Sequence, residues 1–132
     1  MNFNEVRPSL ILVIEDVEET RIGIEQLLNA DQYRVVAVQG EDQAVLQSLL
    51  APPDLILMSL GVDGVQQIAI AQRVRERARL SDAIPIVIFC VTTVDEGAEV
   101  EVAPSLYLTR PDNFDQLRGL LTRLLRTRLL GC

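Results

Sequence analysis

Short apolar runs separated by helix-like stretches constrain this chain more than any other feature. Leu10–Ile14, Tyr33–Val38, Leu55–Met58 and Ile84–Cys90 are each about one strand long, and helical spacing intervenes between them. Runs that are almost wholly apolar, Arg34 being the one charge in them, rather than alternating, belong to strands buried on both faces. That requires a mostly parallel sheet with helices on either side. The expected class is therefore α/β, doubly wound. With 132 residues the chain suits one domain spanning 1–132, long enough to bury roughly two thirds of its unfolded surface.

The charged residues exclude whole classes of chemistry. The formal charge is -7, all 12 basic residues are Arg, and there is neither Lys nor His. A phosphohistidine carrier, imidazole ligation of a metal, a Ser-His or Cys-His nucleophile pair and a lysine Schiff base are all ruled out. A net negative chain is also poorly suited to sequence-independent nucleic-acid binding, which depends on neutralising phosphates. Cys90 and Cys132 fit no zinc spacing, and an intrachain disulfide is not expected in a reducing compartment. No apolar run approaches the roughly 18 residues of a membrane span, and the start Met1-Asn2-Phe3-Asn4-Glu5-Val6-Arg7-Pro8 is not a secretory signal. A cytoplasmic location, with no membrane partner, is the expectation.

The third helix is expected to begin near Gly64, with Val65, Ile68, Ala71, Val74 and Ala78 facing inward and Arg73, Arg75, Arg77 and Arg79 mostly outward. The last should run from about Asn113, an N-cap candidate, to Leu130, with Gly131 as its stop. Its leucines at 117, 120, 121, 124, 125, 129 and 130 exceed one stripe. Leu125 and Leu129 are accordingly expected at an interface with a protein partner or a second copy, rimmed by Arg118, Arg123, Arg126 and Arg128. The competing expectation is that the surplus leucines cover a core edge left open by a poor helix before Tyr107.

Read in order, several segments carry a resemblance. Leu10–Asp16 ends in the acidic pair Glu15-Asp16; Arg21, Ile24, Leu27 and Leu28 follow, then Ala44 and Leu46; Asp54–Ser59 is an apolar strand; Ile84–Cys90 is another; Tyr107-Leu108-Thr109-Arg110-Pro111 is the last. Together they resemble the receiver domains of bacterial response regulators. That resemblance implies a flavodoxin-like five-stranded parallel sheet of order 2-1-3-4-5 and a role in two-component or phosphorelay signalling. The fourth helix should be short, irregular or absent, because Val91–Pro104 carries four acidic residues, a Gly and β-branched residues.

The substituted positions decide what the resemblance implies for function. In the family the third strand ends in the Asp that accepts a phosphoryl group, the fourth in a switch Thr or Ser, and the fifth in Lys-Pro. Here these positions are Ser59, Cys90 and Arg110. A Ser hydroxyl is a weak nucleophile without a positioned base. A thiol donates poorly to a phosphoryl oxygen. With only Glu15 and Asp16 remaining, and the Gly61 carbonyl as a conceivable third ligand, no metal is expected and Mg2+ would bind weakly at most. Arg110 is expected to pair with Glu15 or Asp16, and Tyr107 matches the aromatic switch position.

The leading expectation is a non-enzymatic pseudo-receiver that works by protein interaction. One alternative is a working phospho-receiver using Asp63, since Asp54 lies at the far end of its strand. The other is a redox or small-ligand sensor at Cys90.

Overall fold

The apolar runs become the strands of one sheet. The computed structural model describes residues 8–89 and 91–130, with side chains through residue 127. Its elements are β1 (Leu10–Glu15), α1 (Glu18–Ala30), β2 (Arg34–Val38), α2 (Glu41–Leu50), β3 (Leu55–Ser59), α3 (Gly64–Arg77), β4 (Ile86–Ile88), β5 (Glu99–Ala103), β6 (Leu106–Thr109) and α4 (Phe114–Leu130). The sheet order is β2-β1-β3-β4-β6-β5. All pairings are parallel except β5 with β6.

Period-two geometry sorts the strand residues onto two faces. Leu12, Ile14, Ile56, Met58, Ile86 and Ile88 pack with Ala44, Val45, Ala71 and Val74 of α2 and α3. Ile11, Val13, Leu55, Leu57 and Val87 pack with Ile24 and Leu28 of α1 and the α4 leucines. Both faces are thus covered. Asp54, at the start of β3, accepts from the Leu10 amide at 2.7 Å, which fixes it at the end of the sheet away from Glu15 and Ser59.

The expected sheet of five strands gains a sixth. The five parallel strands keep the expected order, but the segment expected to hold a poor fourth helix contributes an antiparallel edge strand, β5. Its text, Ala98-Glu99-Val100-Glu101-Val102-Ala103, alternates with period two, the signature of a half-exposed strand. Ser105 takes φ 54° in the connecting turn, and its amide donates to Glu101 Oε2 at 2.9 Å. Ahead of β5 the chain turns with Val91 and Val94 buried. Gly64 sits where a Cβ would lie 3.2 Å from Val91 Cγ1, so the absence of a side chain lets that turn pack against the start of α3.

Several side-chain expectations are corrected. Leu125 is only 5% exposed and belongs to the core, as do Leu117, Leu120, Leu121 and Leu124. Their i, i+3, i+4, i+7, i+8 spacing forms one broad stripe wide enough to cover a sheet face, so Leu125 is not an interface residue. These leucines lie on the α1 face, opposite Val91 and Val94, and so do not fill the edge vacated by a fourth helix either. The Leu129 and Arg128 side chains lie outside the described residues. In α3, Val65 is 78% exposed while Gln67 is buried; Gln67 shares the inward line of Ala71, Val74 and Ala78, and Val65 is about 200° round the helix from it. Leu27 and Leu46 are exposed, unlike Ile24, Leu28 and Ala44.

Arg75 breaks the expected outward pattern. Its Nη1 donates to the carbonyls of Ser81 (2.7 Å) and Ile84 (2.9 Å), with longer contacts from Nη2 to Pro104 and Ser105. It staples the loop after α3 to the β5–β6 turn. Arg73 and Arg77 do face outward, sharing Glu41 on α2, and Arg77 also meets Asp42.

Candidate functional site

Parallel strands bring their carboxyl ends to one edge, the position where open α/β sheets form a crevice. Glu15 closes β1 and Ser59 closes β3, and the two are register partners. Glu15 is 4% exposed, and its Oε2 accepts from the Val17 amide at 3.0 Å. Asp16 Oδ2 accepts from the Gly61 amide at 3.1 Å. Arg21 on α1 donates to the Glu15 carbonyl at 2.9 Å, clamping the start of the helix to the strand end.

Burial pushes the Glu15 carboxyl above its ordinary value; the Val17 amide opposes this, and the neighbouring Asp16 adds to it. A carboxyl whose pKa is raised by folding binds its proton more tightly in the native state. Its contribution to stability is fully present below about pH 4.5 and is lost as pH rises through the raised value. Glu15→Gln keeps the shape and removes the charge. It is expected to melt higher than wild type at about pH 7 and to converge with it at about pH 4. Equal melting temperatures at both pH values would contradict a desolvated Glu15.

The loop between β3 and α3 is held by a residue that the sequence did not single out. Gln67 Oε1 accepts from the Leu60 amide at 3.0 Å, and its Nε2 donates to the Val62 carbonyl at 3.2 Å. The sequence offered no clear signal for it, because helical spacing read Val65 rather than Gln67 as inward; once buried, the amide must find partners. Gln67→Ala should cost about 1 to 3 kcal/mol by stranding those groups, measured by urea unfolding, with faster hydrogen exchange at Leu60. Asp63 is the N-cap of α3, its Oδ1 accepting from the Gln66 amide at 2.8 Å. That explains its residue type without a phosphoryl group.

The expected pairing of Arg110 is not formed. Arg110 makes no ion pair with Glu15 or Asp16. Its backbone carbonyl accepts from Gly97 (2.6 Å) and its amide donates to the Ala98 carbonyl (3.2 Å). The β5–β6 hairpin therefore engages Arg110 through its main chain, while the acidic pair is satisfied by the amides of Val17 and Gly61. Tyr107 is half-buried on β6, opposite Val87 and Glu101. Burial first, then the Glu101 charge, pushes its hydroxyl above the ordinary value. Cys90 lies outside the described residues. Among those described, no three His, Cys, Asp or Glu side chains gather as a metal site, and a hydroxyl in the third position does not fit a cation that favours several carboxylates.

No family model matches the chain. Two curated proteins do. The transcriptional regulatory protein KdpE of Staphylococcus aureus is 27% identical over 119 residues, 84% of this chain and 47% of its own length. The KDP operon transcriptional regulatory protein KdpE of Escherichia coli is 24% identical over 118 residues, 88% of this chain and 51% of its own. The receiver domain of the sensor histidine kinase PA1611 from Pseudomonas aeruginosa, solved with magnesium in its active-site cleft, superposes with TM-score 0.66 at 25% identity, covering 89% of this chain and 98% of that one. The chain is thus similar in sequence and fold to the receiver domains of response regulators. The response regulator TrrA, solved in complex with the histidine kinase ThkA, shares the same fold with TM-score 0.69 at 17% identity, over 89% of this chain and 98% of that one.

The chain spans about half the length of the curated relatives it matches. Among its described residues no helix is long and apolar enough to cross a membrane.

Proposed function

We propose that this chain is a pseudo-receiver: a single signalling domain, not an enzyme, that is not phosphorylated at the usual position and acts in the cytoplasm by binding other proteins. The observation that carries the reading is Ser59 at the end of β3 beside Glu15, where the family places its acceptor carboxylate. Direct attack on phosphorus favours an ionised acceptor, and a hydroxyl requires a base. The chain has no His or Lys to supply one. The two remaining acids are occupied by backbone amides, which supports a pocket that holds together without a metal or a phosphoryl group. Asp63 is engaged as a helix cap, so it is a poor substitute acceptor. Nucleic acid is not a partner of this reading, given the net negative charge. A histidine kinase is the first partner class to test, because TrrA is solved with one.

One observation favours a second reading. Glu15 adjoins Ser59 and has a raised pKa, the property of a general base. Incubation with acetyl phosphate and magnesium, followed by intact mass and acid treatment, separates the two. No added phosphate is expected. A stoichiometric acid-stable gain at Ser59 would establish the second reading, and an acid-labile gain at Asp63 would restore that residue as acceptor.

A further inference from the structure

The strand β5 ends the sheet, pairing with β6 on one side. The Arg110 amide donates to the Ala98 carbonyl, so antiparallel alternation directs the main chain of Val100 toward β6 and that of Glu99 and Glu101 outward. An outward row of donors and acceptors is a template for another strand. Val100 and Val102 are 46% and 42% exposed, so the apolar side of the edge is also uncovered.

The charge around this edge selects the occupant. Asp95 and Glu96 are exposed just before it, Glu99 and Glu101 lie within it, and no basic residue occurs from Val91 to Thr109. A second copy pairing antiparallel through β5 would set Glu99 and Glu101 against the same residues of its neighbour, and like charges opposite one another destabilise a strand pair. The edge repels itself and attracts cations. Glu99 pairs with Arg123 of α4, which shows that a guanidinium is accommodated beside the strand.

We propose that β5 is a docking edge for an extended, basic segment of a partner protein, added as a further strand with its Arg or Lys side chains beside Glu99 and Glu101. Main-chain bonds supply affinity and the alternating side chains specificity in this mode. The site does not depend on the chemistry at Ser59, so its failure leaves the pseudo-receiver reading untouched.

A seven-residue probe alternating Arg and Thr, titrated into the isotopically labelled chain, tests the proposal by amide shifts. The largest shifts are expected at residues 99–103, with affinity falling at least fivefold between low and physiological salt. The Glu99→Gln/Glu101→Gln pair should weaken binding at least fivefold while the chain stays folded by circular dichroism. A probe N-methylated on its pairing edge should fail to bind. The proposal is overturned if the N-methylated or an acidic probe binds equally well, if shifts centre elsewhere or are absent, or if the chain self-associates through β5.

Discussion

Ser59→Asp is expected to make this chain depend on a divalent cation for stability. The new carboxylate would sit beside Glu15, already desolvated, and next to Asp16. In EDTA, like-charge repulsion of about 1 kcal/mol should lower the melting temperature by about 4 °C in a chain of this size. Magnesium at a hundred times its dissociation constant should return about 2.7 kcal/mol by mass action. Wild type, with a hydroxyl in that position, should respond little. Thermal melts of both proteins with and without magnesium provide the measurement. Equal magnesium shifts would mean that the third strand end does not complete a cation site, and the argument from Ser59 would lose its chemical basis.

The second large effect is on folding. Leu125→Glu places a carboxylate in the cluster formed by α1, α4 and the sheet, where Leu125 is 5% exposed. Losing the leucine packing and burying a charge with no partner should cost on the order of 5 kcal/mol, a large share of the 5–15 kcal/mol typical of a small domain. Circular dichroism should show partial or complete unfolding at room temperature. Leu46→Glu, on the exposed side of α2 at 58%, should change stability by about 0.5 kcal/mol or less. If Leu125→Glu instead stayed folded and merely changed oligomeric state, the core assignment of α4 would be wrong.

The contrast between these two leucines shows where sequence reasoning stops. Spacing identified α4 and its N-cap, since Asn113 Oδ1 does accept from the Gln116 amide. It did not say how wide a stripe the sheet would cover. Helical periodicity gives the angle of each side chain, whereas burial depends on the breadth of the surface opposite. Here α4 shares one face with α1, and five of its leucines are enclosed. The same limit applies to Val65 and Gln67, because only the packed helix reveals which line of α3 turns inward.

The apolar runs by themselves determined the parallel strands and their burial on both faces, because a run without alternation must be covered from two sides; the strand order that brings Glu15 to Ser59 was implied by the family resemblance. The missing fourth helix was also visible in the residues. That its segment becomes β5 was written in the Glu-Val alternation, yet a strand exists only once β6 offers an edge to pair with, and that depends on the whole sheet. Tertiary structure alone decided the partners of the charged groups. Arg110 and the acidic pair looked complementary in sequence, but nearby amides of Val17 and Gly61 satisfy Glu15 and Asp16 first, and hydrogen-bond geometry, unlike charge, cannot be read from residue types.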